Sequence, residues 1–228
     1  MAETKGQNTF PISRTRPLYR LSQIFIRSIF KVLCGLKVAG RENVPESGPF
    51  ILASNHQSWF DPPIIGSTCP REVFYAAKRE LFDNFILGPL VRYYNSIPVR
   101  RSGYDRTALT RLGEVLEGGN GVIIFPEGTR FLDGRLHSPK SGVGMLALKY
   151  NIPVVPVYIS GSSKLRLQIF SRRLRVRFGR SFTMADIGLS SSKGKDGYRA
   201  GSAEVMRRIA AVGGVDPPAG LENQDGRK

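Results

Sequence analysis

Short apolar runs bounded by Gly, Pro or polar residues recur along the chain, at Phe50 to Ala53, Val73 to Ala76, Val122 to Phe125 and Val154 to Ile159. Runs of this length read as strands buried on both faces. Helical periodicity fills the intervals. One helix begins near Asp105, with Ala108, Leu109, Leu112, Val115 and Leu116 on one face and Gly118-Gly119 just past its end as a stop signal. Another starts after Ser141 and ends near Tyr150, and a third covers about Tyr198 to Val212. Strands alternating with helices predict an α/β fold, a largely parallel central sheet with helices on both faces.

The ends of the chain follow other rules. Residues 1 to 16 are polar and basic without a period, and read as a flexible basic arm. From 17 to 36 the pattern is amphipathic: Leu18, Leu21, Phe25, Ile29, Val32 and Leu36 keep the apolar period, while Arg20, Arg27 and Lys31 fall in one stripe. The cations interrupt the apolar run, so the segment does not span a bilayer, which takes roughly 20 mostly apolar residues. It reads either as a helix lying in a membrane interface or as one packed on its own domain. The main domain runs from 37 to 212, and 213 to 228 reads as a disordered tail. The stretch from Arg173 to Gly179 alternates Arg with Leu, Val and Phe. As a strand it puts three guanidinium groups on one face, forming either a cationic surface or a solvated edge protected by charge.

Charge narrows the partners. The 228 residues carry a formal net charge of +16, and no Asp or Glu occurs from Gly134 to Ala185. An anionic partner follows: nucleic acid, an anionic membrane surface or phosphorylated small substrates. No nucleic acid is expected, because aromatic residues do not interleave with the Arg-rich strand as stacking platforms. Cys34 and Cys69 are too few and too scattered for a disulfide framework or a zinc site, so reduced thiols and no metal are expected.

Candidate chemistry starts at "SNHQSWFDPP", residues 54 to 63. On a continuous helix, positions five apart point about 140° away from each other, which would separate His56 from Asp61. Asp61-Pro62 instead reads as an N-cap with proline at the first helical position, leaving His56 to Phe60 in a loop able to fold back. Asp61 would then hold one ring N–H and stabilise the imidazolium, while the other nitrogen takes a proton from a hydroxyl. No G-x-S-x-G nucleophile elbow is present, so if the pair forms, the proton would belong to a substrate alcohol and the reaction would be direct acyl transfer; the other reading of Asp61 before Pro62 is an ordinary helix cap. In "GVIIFPEGTR" a buried strand runs into Glu127, Gly128, Thr129 and Arg130, at the sheet edge where open α/β folds bind ligands. Gly128 permits close backbone approach and offers an N–H for an oxyanion, Glu127 can accept from a hydroxyl, and Arg130 presents a fork for phosphate. "SIPVRRS" adds Arg100 and Arg101, and Lys78 follows the Val73 to Ala76 strand as a further phosphate candidate.

"NHQSWFD", "IPVRR", "FPEGTR" and "IPVVPVYI", in this order and spread from about Leu36 to Phe182, resemble the four sequence blocks of the glycerolipid acyltransferases. The likeness is strongest to those acting on 1-acyl-glycerol-3-phosphate. It implies an α/β acyltransferase fold, membrane association through the N-terminal segment, and an acyl donor carried on coenzyme A or acyl carrier protein, with no other cofactor. It further implies His56 as general base with Asp61 as its partner, and Arg101, Glu127, Gly128 and Arg130 holding the acceptor's phosphate and glycerol. Arg100 stands where relatives often have an acidic residue. The expected partners are lysophosphatidic acid, the acyl donor and a phospholipid surface, with the protein peripheral or monotopic on the cytoplasmic face of a membrane. Other acceptors with the same chemistry, such as a lyso-aminolipid, another lysophospholipid or glycerol-3-phosphate, remain open. A non-catalytic basic protein that binds membrane or nucleic acid is the reading outside the enzyme class.

Overall fold

The computed structural model describes residues 16–85, 87–99, 106–163, 173–189 and 194–221. Among these residues seven strands form one sheet, in the order β1-β7-β6-β2-β5-β3-β4. They are β1 (Lys37–Ala39), β2 (Phe50–Ser54), β3 (Val73–Lys78), β4 (Ser96–Val99), β5 (Gly121–Ile124), β6 (Val154–Ser160) and β7 (Arg175–Phe178). The block from β6 to β4 is parallel; β7 runs antiparallel to β6, and β1 parallel to β7.

Helices cover both faces because the central strands are apolar on both. In β2, Ile51 and Ala53 join one core with α5 (Arg106–Glu117), α6 (Gly142–Tyr150) and α7 (Gly194–Gly213). Phe50 and Leu52, one residue out of phase, join a second core beside α1 (Pro17–Cys34) and α2 (Asp61–Thr68). Two short helices, α3 (Arg79–Phe82) and α4 (Leu87–Tyr93), lead from β3 to β4. Helices α6 and α7 approach closely at Gly144, where a β-carbon would lie 2.2 Å from the Tyr198 carbonyl oxygen. The contact is sealed by the Gly144 N–H, which donates to Ser202 Oγ at 2.9 Å.

Helix α1 carries the most unusual burial. Pro17 starts it, and Gly35, in the left-handed region at φ 60°, ends it with its N–H on the Phe30 carbonyl. Tyr19, Gln23 and Cys34 are the residues it buries against the domain, and Gln23 donates to the Gly66 and Cys69 carbonyls at 2.7 and 3.2 Å. Just before the helix, Arg16 pairs with buried Glu72 at 3.1 Å. Leu18, Leu21, Ile24, Phe25, Ile29, Val32 and Leu33 all point outward, and Val32 is 73% exposed. The helix therefore docks on its own domain through a narrow stripe and leaves its wide apolar face uncovered. Of the apolar residues that set its period, only Leu36, beyond its end, is buried.

Three expectations are corrected. The Arg-alternating stretch is not an edge, because β7 is paired on both sides; the short β1 forms the edge. Leu174, Val176 and Phe178 are buried, and Arg177 donates to the Val212 and Gly213 carbonyls at the end of α7. The tail does not leave the domain at 213: Leu221 is buried, and its carbonyl accepts from Arg207 at 3.3 Å. Residues 1–15 and 222–228 lie outside the described residues. Asp61 is the first residue of α2 rather than its cap, and its side chain makes no capping bond to that helix. Both cysteines are free and buried, and burial pushes the Cys69 thiol up to about 12.

Candidate active site

Strand β2 lies between β6 and β5, so the loop after Ser54 and the turn after Ile124 leave the sheet side by side. Lys78 closes β3, the next strand over. The C-terminal edge of three adjacent parallel strands thus gathers three of the candidate segments named from the sequence.

The loop from Asn55 to Phe60 is fixed at both ends. Asn55 acts as an extra rung of the sheet: its amide donates to the Ile159 carbonyl and accepts from the Ile159 N–H, both at 2.9 Å. At the other end the Asp61 carboxylate turns back over the loop. Its Oδ2 accepts from the Gln57 and Ser58 N–H groups at 2.6 and 2.7 Å and lies 2.9 Å from His56 Nδ1. Asp61 is completely buried, whereas the imidazole keeps 16% of its surface exposed. The ring stacks on Phe125, centroids 4.0 Å apart and planes within 19°. With Nδ1 engaged by the carboxylate, the tautomer is set and Nε2 is the nitrogen left for proton transfer.

The second wall is the turn after β5. Gly128 sits at φ 69°, and its N–H closes the turn on the Phe125 carbonyl at 3.0 Å. That donor is consumed by the turn, so Gly128 does not supply the oxyanion N–H that its position suggested. Glu127 also has an occupation the sequence did not reveal. Its buried carboxylate accepts from the His56 N–H on one oxygen and the His137 N–H on the other, at 2.9 and 3.0 Å. Burial raises its pKa, and the two backbone donors oppose that shift. Glu127 is thereby a brace between the two loops, reinforced by the Phe131 N–H on the His56 carbonyl at 3.0 Å.

Three cations surround this turn. The Arg130 guanidinium carbon lies over the Trp59 ring, 3.5 Å from its centroid, and Lys78 Nζ is 5.3 Å from the same centroid. Trp59 therefore joins a cation of the β5 turn to one from β3. Lys140 lies against Gly128, its side chain within 2.8 to 3.0 Å of where a β-carbon would stand. Thr129 is exposed on the same turn. Arg100 and Arg101 lie outside the described residues.

Asn55, Trp59 and Lys140 were not singled out for this site by sequence. Asn55 and Trp59 sit inside the "NHQSWFD" block, which was the available signal; Lys140 had none beyond its charge. Among the described residues no three His, Cys, Asp or Glu side chains converge as a metal site.

The chain is similar to known acyltransferases in sequence and in fold. The chain is 27% identical over 177 residues to the 1-acyl-sn-glycerol-3-phosphate acyltransferase of Bacillus subtilis, covering 77% of this chain and 88% of that protein. It is 37% identical over 147 residues to the human 1-acyl-sn-glycerol-3-phosphate acyltransferase beta, covering 61% of this chain and 51% of the human one. It thus spans about half the length of the human relative and 37% of a chloroplast enzyme of Arabidopsis thaliana. The crystal structure of the 1-acyl-sn-glycerophosphate acyltransferase PlsC from Thermotoga maritima superposes with a TM-score of 0.66 at 27% identity, over 92% of this chain and 81% of that one. The sequence model of the Acyltransferase family matches residues 35–160, which hold the His56–Asp61 loop and the Arg130 turn, and this chain belongs to that family.

Proposed function

We propose that this protein transfers an acyl chain from a thioester donor, acyl-CoA or acyl carrier protein, to the sn-2 hydroxyl of 1-acyl-glycerol-3-phosphate, giving phosphatidic acid. The observation that carries the reading is the His56 Nδ1 contact to buried Asp61 at 2.9 Å, set beside the cationic turn at Arg130. Relatives named for this activity support it.

The substrate hydroxyl loses its proton to His56 Nε2 as its oxygen attacks the thioester carbonyl. Asp61 stabilises the imidazolium that forms. When the tetrahedral intermediate collapses, the carbon–sulfur bond breaks, and the leaving thiolate takes up the proton held on the imidazolium. Arg130 and Lys78, joined by Trp59, and Lys140 bind the acceptor phosphate, with Arg101 assigned there by resemblance and Arg100 a second cation beside it in the sequence. Glu127 acts by holding His56 in register, and Gly128 by leaving room for Lys140. No group beyond the two substrates is required as a cofactor.

The acceptor is a lipid, and the uncovered apolar face of α1 is the surface that would bring the site to it. Among the described residues no helix is long and apolar enough to cross a membrane. Helix α1 would instead lie in the interface, and Phe30, in ring contact with Phe60, joins it to the catalytic loop.

Three outcomes are expected. His56→Ala should lower acyl transfer at least about 10²-fold while circular dichroism stays that of the parent; near-normal transfer by the folded variant would sink the mechanism. Trp59→Ala should raise KM for the lysolipid by about two- to thirtyfold, the worth of one to two cation–π contacts, with Trp59→Phe much milder. An unchanged KM would mean the indole does not position the phosphate cations. The triple variant Leu21→Ser, Phe25→Ser, Val32→Ser should lose sedimentation with anionic vesicles yet stay folded; undiminished binding would place the membrane contact elsewhere.

A further inference from the structure

A cleft of about 640 Å³ opens on the outer surface of α5, α6 and α7. Its size is that of a small-ligand site. Its wall is apolar and aromatic, with Met145, Tyr150 and Tyr198, and its cations are Lys149, Lys195 and Arg199. The Tyr150 ring lies where Gly113 leaves space: a β-carbon there would stand 2.1 Å from the tyrosine hydroxyl. That hydroxyl accepts from Lys149 Nζ at 3.0 Å. Among the described residues no Asp or Glu lines the cleft; Asp196, fully exposed, is a loose partner of Arg199 at 3.8 Å.

Position restricts the occupant. The cleft belongs to the helical layer opposite α1 and α2, so it is turned away from the apolar face assigned to the membrane. A water-soluble anion with an aromatic part fits it better than a lipid. The cleft also connects to the site. Its Ser141 end directly follows Lys140, whose N–H donates to the Pro126 carbonyl at 2.8 Å and whose side chain lies over Gly128.

We propose that this cleft binds the nucleotide end of acyl-CoA, an inference that rests on the acyl-transfer reading above. The adenine packs against Tyr150 and Tyr198, and the phosphates meet Lys149, Lys195 and Arg199. The pantetheine arm then runs past Ser141 and Lys140, carrying the thioester to His56. This arrangement separates the substrates by solubility: donor from the helical face, lipid acceptor from the α1 side.

The test measures steady-state acyl transfer to 1-acyl-glycerol-3-phosphate with acyl-CoA as the varied donor. The double variant Lys195→Glu, Arg199→Glu should raise KM for acyl-CoA by about tenfold or more, since charged hydrogen bonds of this kind are each worth about that factor. The KM for the lysolipid and kcat should stay within about twofold, a change too small to reflect a lost contact. Lys37→Glu, on the distant edge strand β1, controls for net charge and should leave KM for acyl-CoA unchanged. Adenosine 3′,5′-bisphosphate, the nucleotide fragment without a thiol, should compete with acyl-CoA in the parent and more weakly in the double variant. An unchanged KM in the double variant, or inhibition not competitive with acyl-CoA, overturns the assignment. Transfer from acyl carrier protein but not acyl-CoA also rejects the nucleotide while leaving the acyltransferase reading intact. Inactivity with both donors would defeat that reading itself.

Discussion

The Asp61 carboxylate is entirely out of water, and the architecture of the site follows from the need to hold it there. Leaving a buried charge unpaired costs about 3–5 kcal/mol, so the surrounding backbone must supply donors. Gln57 and Ser58 supply two N–H groups, which forces the loop to curl over the carboxylate, and that curl brings His56 Nδ1 to the same oxygen. The pair is thus the product of one constraint: satisfying Oδ2 of Asp61 and orienting His56 are the same event. Pro62 and Pro63 help because neither needs an N–H partner in the first turn of α2.

A second buried carboxylate extends this logic across the site. Glu127 takes one N–H from the histidine loop and one from the segment after the β5 turn, so neither loop can move without unpairing it. The base and the cationic turn are consequently held as a unit. Around this rigid centre the two helical layers divide the labour. The α1 side presents apolar surface and the α5–α7 side presents cations, the division on which the proposed entry of lipid and donor from opposite faces rests.

Parts of this were legible in the sequence because they are local. The apolar runs of β2, β3, β5 and β6 declared themselves, as did α6 between Ser141 and Asn151, because burial on both faces leaves few alternatives for such runs. The folded-back loop was legible from the proline pair. What escaped depends on contacts far apart in the chain. The role of Asp61 as a loop anchor rather than a helix cap depends on where its side chain turns, which residue type does not determine. The interior position of β7 depends on pairing with β1, over a hundred residues earlier, and the burial of Leu221 on packing against α7. Trp59 carried no signal of its own in the sequence; its role depends on the β5 turn placing Arg130 over its ring. The engaged N–H of Gly128 shows the same limit, since a glycine suited to approaching a ligand is equally suited to closing a turn.

The central claim is that His56 activates a substrate hydroxyl for direct transfer, with no acylated protein on the way. Single-turnover mixing of the protein with acyl donor, first alone and then with 1-acyl-glycerol-3-phosphate, tests it most directly by following free thiol and intact protein mass together. Thiol release only when the lysolipid is present, matched mole for mole by phosphatidic acid and with no gain in protein mass, is the predicted result. Stoichiometric thiol release without the lysolipid, accompanied by a protein heavier by one acyl group, would contradict it.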